Sequence, residues 1–346
     1  MRFFIGMVAV LVAFVTVTAN AESVAGLYQV REELDSQESE MRDAGLQQAF
    51  ATLVQRLTGT ADAAQSPQLA EYRADPQSLI SRYGYEGNTL IVSFDPQSVQ
   101  SALREAHLPI WGSNRPMVLA WWLVEDLQGT RLISDGQPGT EEFYSAARYY
   151  GVPARMPLGD LDEQLLVTAD ALDNSEQILE SAERYNADVV VIVQQQLDGE
   201  TLHAQWQLWV GDEQQQGQVS ADSQSAVARD VFAQVNQRLA QRFAIKPGQG
   251  ESLIVQVSGV DLERFVLVER LLEPFAAQLQ RVSDDSAQWS MRSTVEHVRA
   301  QLALGHLQEQ SAPPPAQEIS VDDVTMAQTS ALTKAQADTQ TLYFSW

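Results

Sequence analysis

Asp188-Val-Val-Val-Ile-Val-Gln-Gln-Gln-Leu-Asp-Gly-Glu-Thr-Leu-His-Ala-Gln-Trp-Gln-Leu-Trp-Val210 decides the fold class. Asp188 to Leu197 and Glu200 to Val210 read as two strands of a hairpin that turns at Asp198-Gly199. In the second strand Leu202, Ala204, Trp206, Leu208 and Val210 share one face, and His203, Gln205, Gln207 and Trp209 share the other. A helix over Ser175 to Tyr185 leads into the hairpin, and a long helix, Ser223 to Phe243, follows it. Upstream, Met117 to Val124 is an almost unbroken apolar run, as expected of a central strand. Gly129 turns it toward a partner near Arg131 to Ile133, and Thr140 to Tyr149 reads as a helix. Together these make a middle α/β unit, 116–246.

The same reading extends outward. In the first unit, 22–115, Val24 to Val30 is expected to be a strand and Ser36 to Leu57 a helix with its apolar residues near a 3.6 period. Residues 60–76 are expected to be irregular. Tyr83 to Tyr85 and Thr89 to Phe94 form a hairpin, and Asp95-Pro96 opens a helix running to about Ala106. Leu108 to Gly112 is a packed linker. In the third unit, 247–307, Leu253 to Val257, Ala277 to Val282 and Gln288 to Met291 read as strands. Asp261 to Leu272 and Ser293 to Leu304 read as helices. Residues 308–340 are poor in core-forming residues and are expected to be disordered. Leu342, Phe344 and Trp346 then alternate on one face, so 341–346 is expected to return as the closing strand of a ferredoxin-like unit. The fold class is α+β: tandem small α/β domains with mixed sheets, the last ferredoxin-like, and a disordered loop near the C-terminus.

Met1-Arg2, an apolar run from Phe3 to Val17, and Ala19-Asn20-Ala21 have the form of an export signal cleaved after Ala21. The run, about 13–15 residues, is short of the roughly 20 that span a bilayer. The expected compartment is the periplasm, with no stable membrane insertion after cleavage. The chain contains no cysteine, which excludes disulfides, thiolate catalysis and thiolate metal centres. It carries 46 acidic against 22 basic residues, a net charge of −24, which disfavours nucleic acid and anionic lipid.

No nucleophile elbow, P-loop, dinucleotide fingerprint, HExxH or calcium loop is present. His107, His203, His297 and His306 are scattered without metal-ligand spacing. Asp160 and Asp162, with Glu163 beside them, are the best carboxylate cluster; turn and capping hydrogen bonds account for it better than a metal or an acid/base pair. Trp209, on the polar face of its strand, is the candidate contact residue among the tryptophans. No catalytic residue, metal or cofactor is expected.

Tyr28-Gln29-Val30, Arg115 to Trp121, Met156 to Asp162 and Ala182 to Asp188, taken as an ordered set, resemble the secreted bacterial domain-of-unknown-function family 2066. That resemblance implies no activity. The middle unit is also similar in plan to small α/β domains of envelope assembly proteins, such as the N-terminal domain of TolB-type proteins and the flagellar assembly protein T. The function expected is that of an exported, non-enzymatic binding or assembly module acting on cell-envelope proteins. The alternative is an envelope enzyme or glycan-binding protein using the Asp160/Asp162 loop.

Overall fold

The structure is a computed structural model that describes residues 24–311 and 340–346, apart from 25, 128, 169, 170, 174, 247–249, 276 and 284. The export signal and cleavage site, and residues 312–339 of the stretch expected to be disordered, lie outside the described residues.

The first sheet is antiparallel, in the order β1-β3-β2. It comprises β1 (Gln29–Glu33), β2 (Ile80–Glu86) and β3 (Thr89–Phe94). Helices α1 (Ser39–Thr58), α2 (Ala70–Ala74) and α3 (Pro96–Glu105) accompany it. The strand expected over Val24 to Val30 is displaced. Leu27 is buried in a turn, and it is Gln29 to Glu33 that pairs with β3. Residues 60–76 are not irregular: short 3-10 turns and α2 fold there, burying Ala63, Ala64 and Leu69. Helix α3 starts as expected, with Asp95 accepting from Ser98 N and Pro96 in the first turn.

The second sheet has the order β5-β4-β7-β8-β9, with β6 also on β4. Its strands are β4 (Val118–Asp126), β5 (Gly129–Ile133), β6 (Ala154–Arg155), β7 (Val189–Asp198), β8 (Thr201–Val210) and β9 (Glu213–Ala221). Strands β4 and β7 are parallel neighbours at its centre. Helices α4 (Thr140–Tyr150) and α7 (Gln224–Phe243) bury one face, where Trp122, Val191, Trp206, Phe143 and Phe232 pack. The short α5 (Leu161–Leu165) and α6 (Ser175–Ala182) belong to the segment that crosses the other face. Strand β9 was not anticipated. It is an edge strand that buries only Val219, so it carries almost no hydrophobic signal.

The third sheet is β11-β12-β10-β14-β13. Its elements are β10 (Glu251–Ser258), α8 (Leu262–Leu272), β11 (Gln278–Val282), β12 (Ser286–Ser293), α9 (Val295–Ala303), β13 (Gln308–Gln310) and β14 (Gln340–Ser345). The terminal segment does return into the sheet. Strand β14 lies parallel to β10 and antiparallel to β13, with Leu342 and Phe344 facing the core. Residues 308–310, expected in the disordered stretch, instead form β13, because β14 offers Phe344 and its neighbours as pairing partners. The succession strand, helix, strand, strand, helix, strand is kept, but β14 runs parallel to β10, where the closing strand of a ferredoxin-like unit runs antiparallel to the first, and β13 lies outside it as the edge.

The cores of the second and third sheets are continuous, whereas the first sheet has its own. Two buried arginines join the first to the second. Arg56 of α1 donates to the Tyr149 carbonyl and to those of Leu27 and Gln29. Arg115 donates to the carbonyls of Gly112, Trp111, Tyr150, Gly151 and Arg56, and its guanidinium stacks on Trp111.

Candidate functional site

The Asp160/Asp162 loop is a helix start. Asp160 caps α5 by accepting from Glu163 N at 3.0 Å, and Glu163 reaches back to Asp160 N, a complete capping box. Glu163 is fully buried and also accepts from Gly159 N, from the Tyr185 hydroxyl and from Arg184. Arg184 bonds Asp160 at 2.7 Å and holds its carboxyl below the usual range, helped by the backbone N–H of Glu163. Burial and the bond to Glu163 push the Tyr185 hydroxyl upward. Asp162 stays on the exposed side, outside this network. The two aspartates are therefore not brought together: one is consumed by capping and an ion pair, the other faces solvent. Among the described residues no group of three or more His, Asp or Glu is arranged to hold a metal ion.

Trp209 is half-buried rather than exposed. The segment containing Ala171, Ile178 and Ala182 lies over its face of the sheet, and Trp209 packs there with Trp121, Val190 and Ile192. Its indole Nε1 is enclosed without a hydrogen-bond partner. The sequence placed it on the correct face but gave no sign of the cover. Trp111, Trp121, Trp122 and Trp206 are fully buried core residues.

The cover stops part-way along the sheet, and the uncovered part is the concave feature. Strand register sets four rows of side chains across β4, β7, β8 and β9 on this face. Leu119, Val190, Trp209 and Gln214 form one row, and Trp121, Ile192, Gln207 and Gln216 the next. Both begin under the cover, where Gln207 Nε2 donates to the Leu172 carbonyl at 2.8 Å. Leu123, Gln194, Gln205 and Gln218 form the third row, and Glu125, Gln196, His203 and Ser220 the fourth. The β7, β8 and β9 members of these last two rows, Gln194, Gln205, Gln218, Gln196, His203 and Ser220, with Leu172 and Asp173 at the rim, line an open groove of about 370 Å³. His203 Nδ1 lies 2.7 Å from Ser220 Oγ, and Gln194 Nε2 donates to Glu125 at 3.4 Å.

Primary amides dominate this groove. Each offers both donors and an acceptor without charge, so the groove can hydrogen-bond a ligand. Sequence reading found Gln205 and His203 on the polar face of β8 but missed the groove, because Gln218 and Ser220 come from the unanticipated β9.

Residues 21–112, which hold the first sheet, match a family model described as a domain of unknown function (DUF8605). This is an uncharacterised domain family, but a different one from the family 2066 that the sequence motifs resemble. No curated protein and no solved structure matches the chain.

Proposed function

We propose that this protein is an exported, non-enzymatic binding module that acts on cell-envelope proteins in the periplasm. The observation that carries the reading is the amide groove: Gln194, Gln196, Gln205 and Gln218 bring four primary amides together by the register of three strands, with His203 and Ser220 beside them. The buried ionisable groups nearest the sequence-based candidates are bound up in structure, Glu163 in a capping box and Arg115 on backbone carbonyls. Among the described residues no helix is long and apolar enough to cross a membrane, which accords with release after cleavage. Three of the four motifs that resemble family 2066 lie beyond residue 112, and we keep that resemblance as part of the proposal.

The test is crosslinking in intact cells followed by capture of the protein, with Gln194→Ala/Gln205→Ala as the comparison. A partner recovered with the wild type and lost with the double variant is the expected result. The absence of any envelope protein, or equal recovery with the variant, overturns the reading. Cell fractionation and mass spectrometry, with Glu22 as the expected first residue, test the compartment.

A further inference from the structure

Strand β9 is the free edge of the second sheet. An edge strand offers unpaired N–H and C=O groups to any passing chain, and natural sheets blunt their edges with short length, bulges, charges or proline. The other edges among the described residues are blunted in these ways. Strand β13 has three residues, β5 has five including Arg131, and β1 carries Arg31, Glu32 and Glu33. Strands β2 and β11 break register beside Arg82 and Arg281.

Strand β9 carries one charge, Glu213 at its first residue, which Arg242 pairs at 2.5 Å, and none of these devices beyond it. It runs nine residues in unbroken register with β8, and from Gln214 to Ala221 it holds no charge and no proline. The two-residue turn at Gly211 and Asp212 makes Val210–Glu213 a hydrogen-bonded pair, so Gln215, Gly217 and Val219 bond inward to β8. Gln214, Gln216, Gln218 and Ser220 therefore aim their N–H and C=O groups outward, and all four are exposed. The Gln218 carbonyl accepts from Gln234 Nε2 at 3.3 Å, a side-chain contact that an incoming strand can displace. The side chains of the same four residues stand on the face that carries the amide groove, so the edge and the groove are one continuous surface.

We propose that β9 receives an extended, cationic polypeptide segment as an added strand, whose alternate side chains lie along the amide groove. The inference rests on the binding-module reading and names its surface and the chemistry of the partner. Charge selects the occupant. The chain carries a net −24, and the uncharged stretch from Gln214 to Ala221 is flanked by Asp212 and the Arg242-paired Glu213 at one end and by Asp222 at the other. A basic segment is drawn to such an edge, and an acidic one is repelled. A second copy of the chain is a poor occupant: antiparallel pairing centred on Gly217 sets Asp212 of each copy against Asp222 of the other, and both copies are strongly anionic. Main-chain pairing supplies affinity without sequence specificity, and the groove adds side-chain contacts, as in other strand-addition complexes.

The experiment titrates the purified protein with a fluorescent octapeptide, Lys-Val-Lys-Thr-Lys-Val-Lys-Thr. The comparison peptides are its glutamate counterpart and two forms N-methylated at alternate residues. The cationic peptide is expected to bind at least tenfold more tightly than the acidic one. At saturation it should slow hydrogen exchange at Gln214, Gln216, Gln218 and Ser220 by at least tenfold. One N-methylated form should bind and the other fail, because only one edge of an added strand faces β9. Gln216→Pro removes an outward N–H at a position where an edge strand tolerates proline, and should abolish binding; Gln216→Lys, which keeps the backbone intact, should weaken it. No binding of the cationic peptide, binding unchanged by both Gln216 variants, or equal binding of both methylated forms overturns the proposal. So does a dimer in sedimentation that Gln216→Pro dissolves. If cellular crosslinking still captures an envelope protein with Gln216→Pro but not with Gln194→Ala/Gln205→Ala, the binding module stands and the edge assignment falls.

Discussion

Arg115 Nη2 donates to the main-chain carbonyl of Arg56 at 2.8 Å, while the Arg56 guanidinium donates in turn to the carbonyl of Tyr149. Two cations buried one behind the other thus tie helix α1 of the first sheet to helix α4 of the second, and their hydrogen bonds run to backbone carbonyls. Burial pulls the Arg56 guanidinium down to about 10, and burial together with the nearby Arg56 charge lowers that of Arg115. This is a costly way to make a joint, but a directional one, because the planar fork of arginine reaches several carbonyls at once.

Replacing Arg115 by Met is therefore expected to destabilise the protein by about 3–5 kcal/mol, since it strands carbonyls of Gly112, Trp111, Tyr150, Gly151 and Arg56 in the interior. Arg115→Lys should recover little of this, having three donors and no fork. Urea unfolding followed by circular dichroism measures both. A loss below about 1 kcal/mol for Arg115→Met would mean that the carbonyls find other partners.

The capping box makes a pH-dependent prediction. Asp160 has its folded-state pKa depressed, first by Arg184 and then by the Glu163 N–H. Its stabilisation is present above the unfolded carboxylate value, about 3.9, and is lost as pH falls through the lower folded value. Asp160→Asn should thus lower the melting temperature at pH 7, and the gap from wild type should narrow once the pH drops below about 4. Asp162→Asn should leave the melting temperature unchanged throughout. A loss for Asp162→Asn equal to that for Asp160→Asn contradicts the capping assignment.

The α1–α7 crossing depends on Gly59. It ends α1 in the left-handed region at φ +81°, and a Cβ placed there would stand 2.2 Å from the Cβ of Ala240. Gly59→Ala is expected to cost roughly 1–2 kcal/mol for the backbone and a further 1–3 kcal/mol for overpacking. Ala240→Gly in the same chain should restore the packing part and leave the backbone part. A double-mutant cycle by denaturant unfolding reads this coupling directly; additive losses would place the helices farther apart than described.

These residues also mark where the sequence was legible. The β7–β8 hairpin was readable because a Val/Ile run and a strict alternation both report burial. Strand β9 was not, because an edge strand with one open face needs few apolar residues, and Glu213 to Gly217 contains none. The first strand was read too early because Leu27 and Val30 are apolar, yet a turn buries Leu27 as well as a strand would. Arg115 looked like a polar boundary before Pro116. Its acceptors come from segments up to 59 residues away along the chain, so nothing local announces that it is buried. Asp160 was readable as a cap from its position three residues before Glu163. Trp209 was placed on the right face, but its cover comes from a segment some thirty to forty residues earlier, which strand periodicity cannot report.

The C-terminal strand gives the last prediction. Strand β14 lies between β10 and β13, with Leu342 and Phe344 buried in the core shared by the second and third sheets. Trp346 is fixed by its Nε1 donating to the Gly305 carbonyl at 3.0 Å and by Arg264 over its ring. Deleting 341–346 removes two core side chains worth about 1.5–3 kcal/mol each, and it leaves β10 with an unpaired edge. A loss of at least about 3 kcal/mol is expected on that count alone. Deleting 314–336 has the opposite expectation. It shortens the connection between Gln310 at the end of β13 and Gln340 at the start of β14 from about thirty residues to about six, within the range of ordinary connections. Loop closure costs about 0.6 kcal/mol per doubling of length, so the shortened chain should be as stable as wild type or more stable by up to about 1.5 kcal/mol. Urea unfolding of the two deletions side by side tests the arrangement. If the short terminal deletion leaves stability untouched, β14 does not contribute to the core of the third sheet.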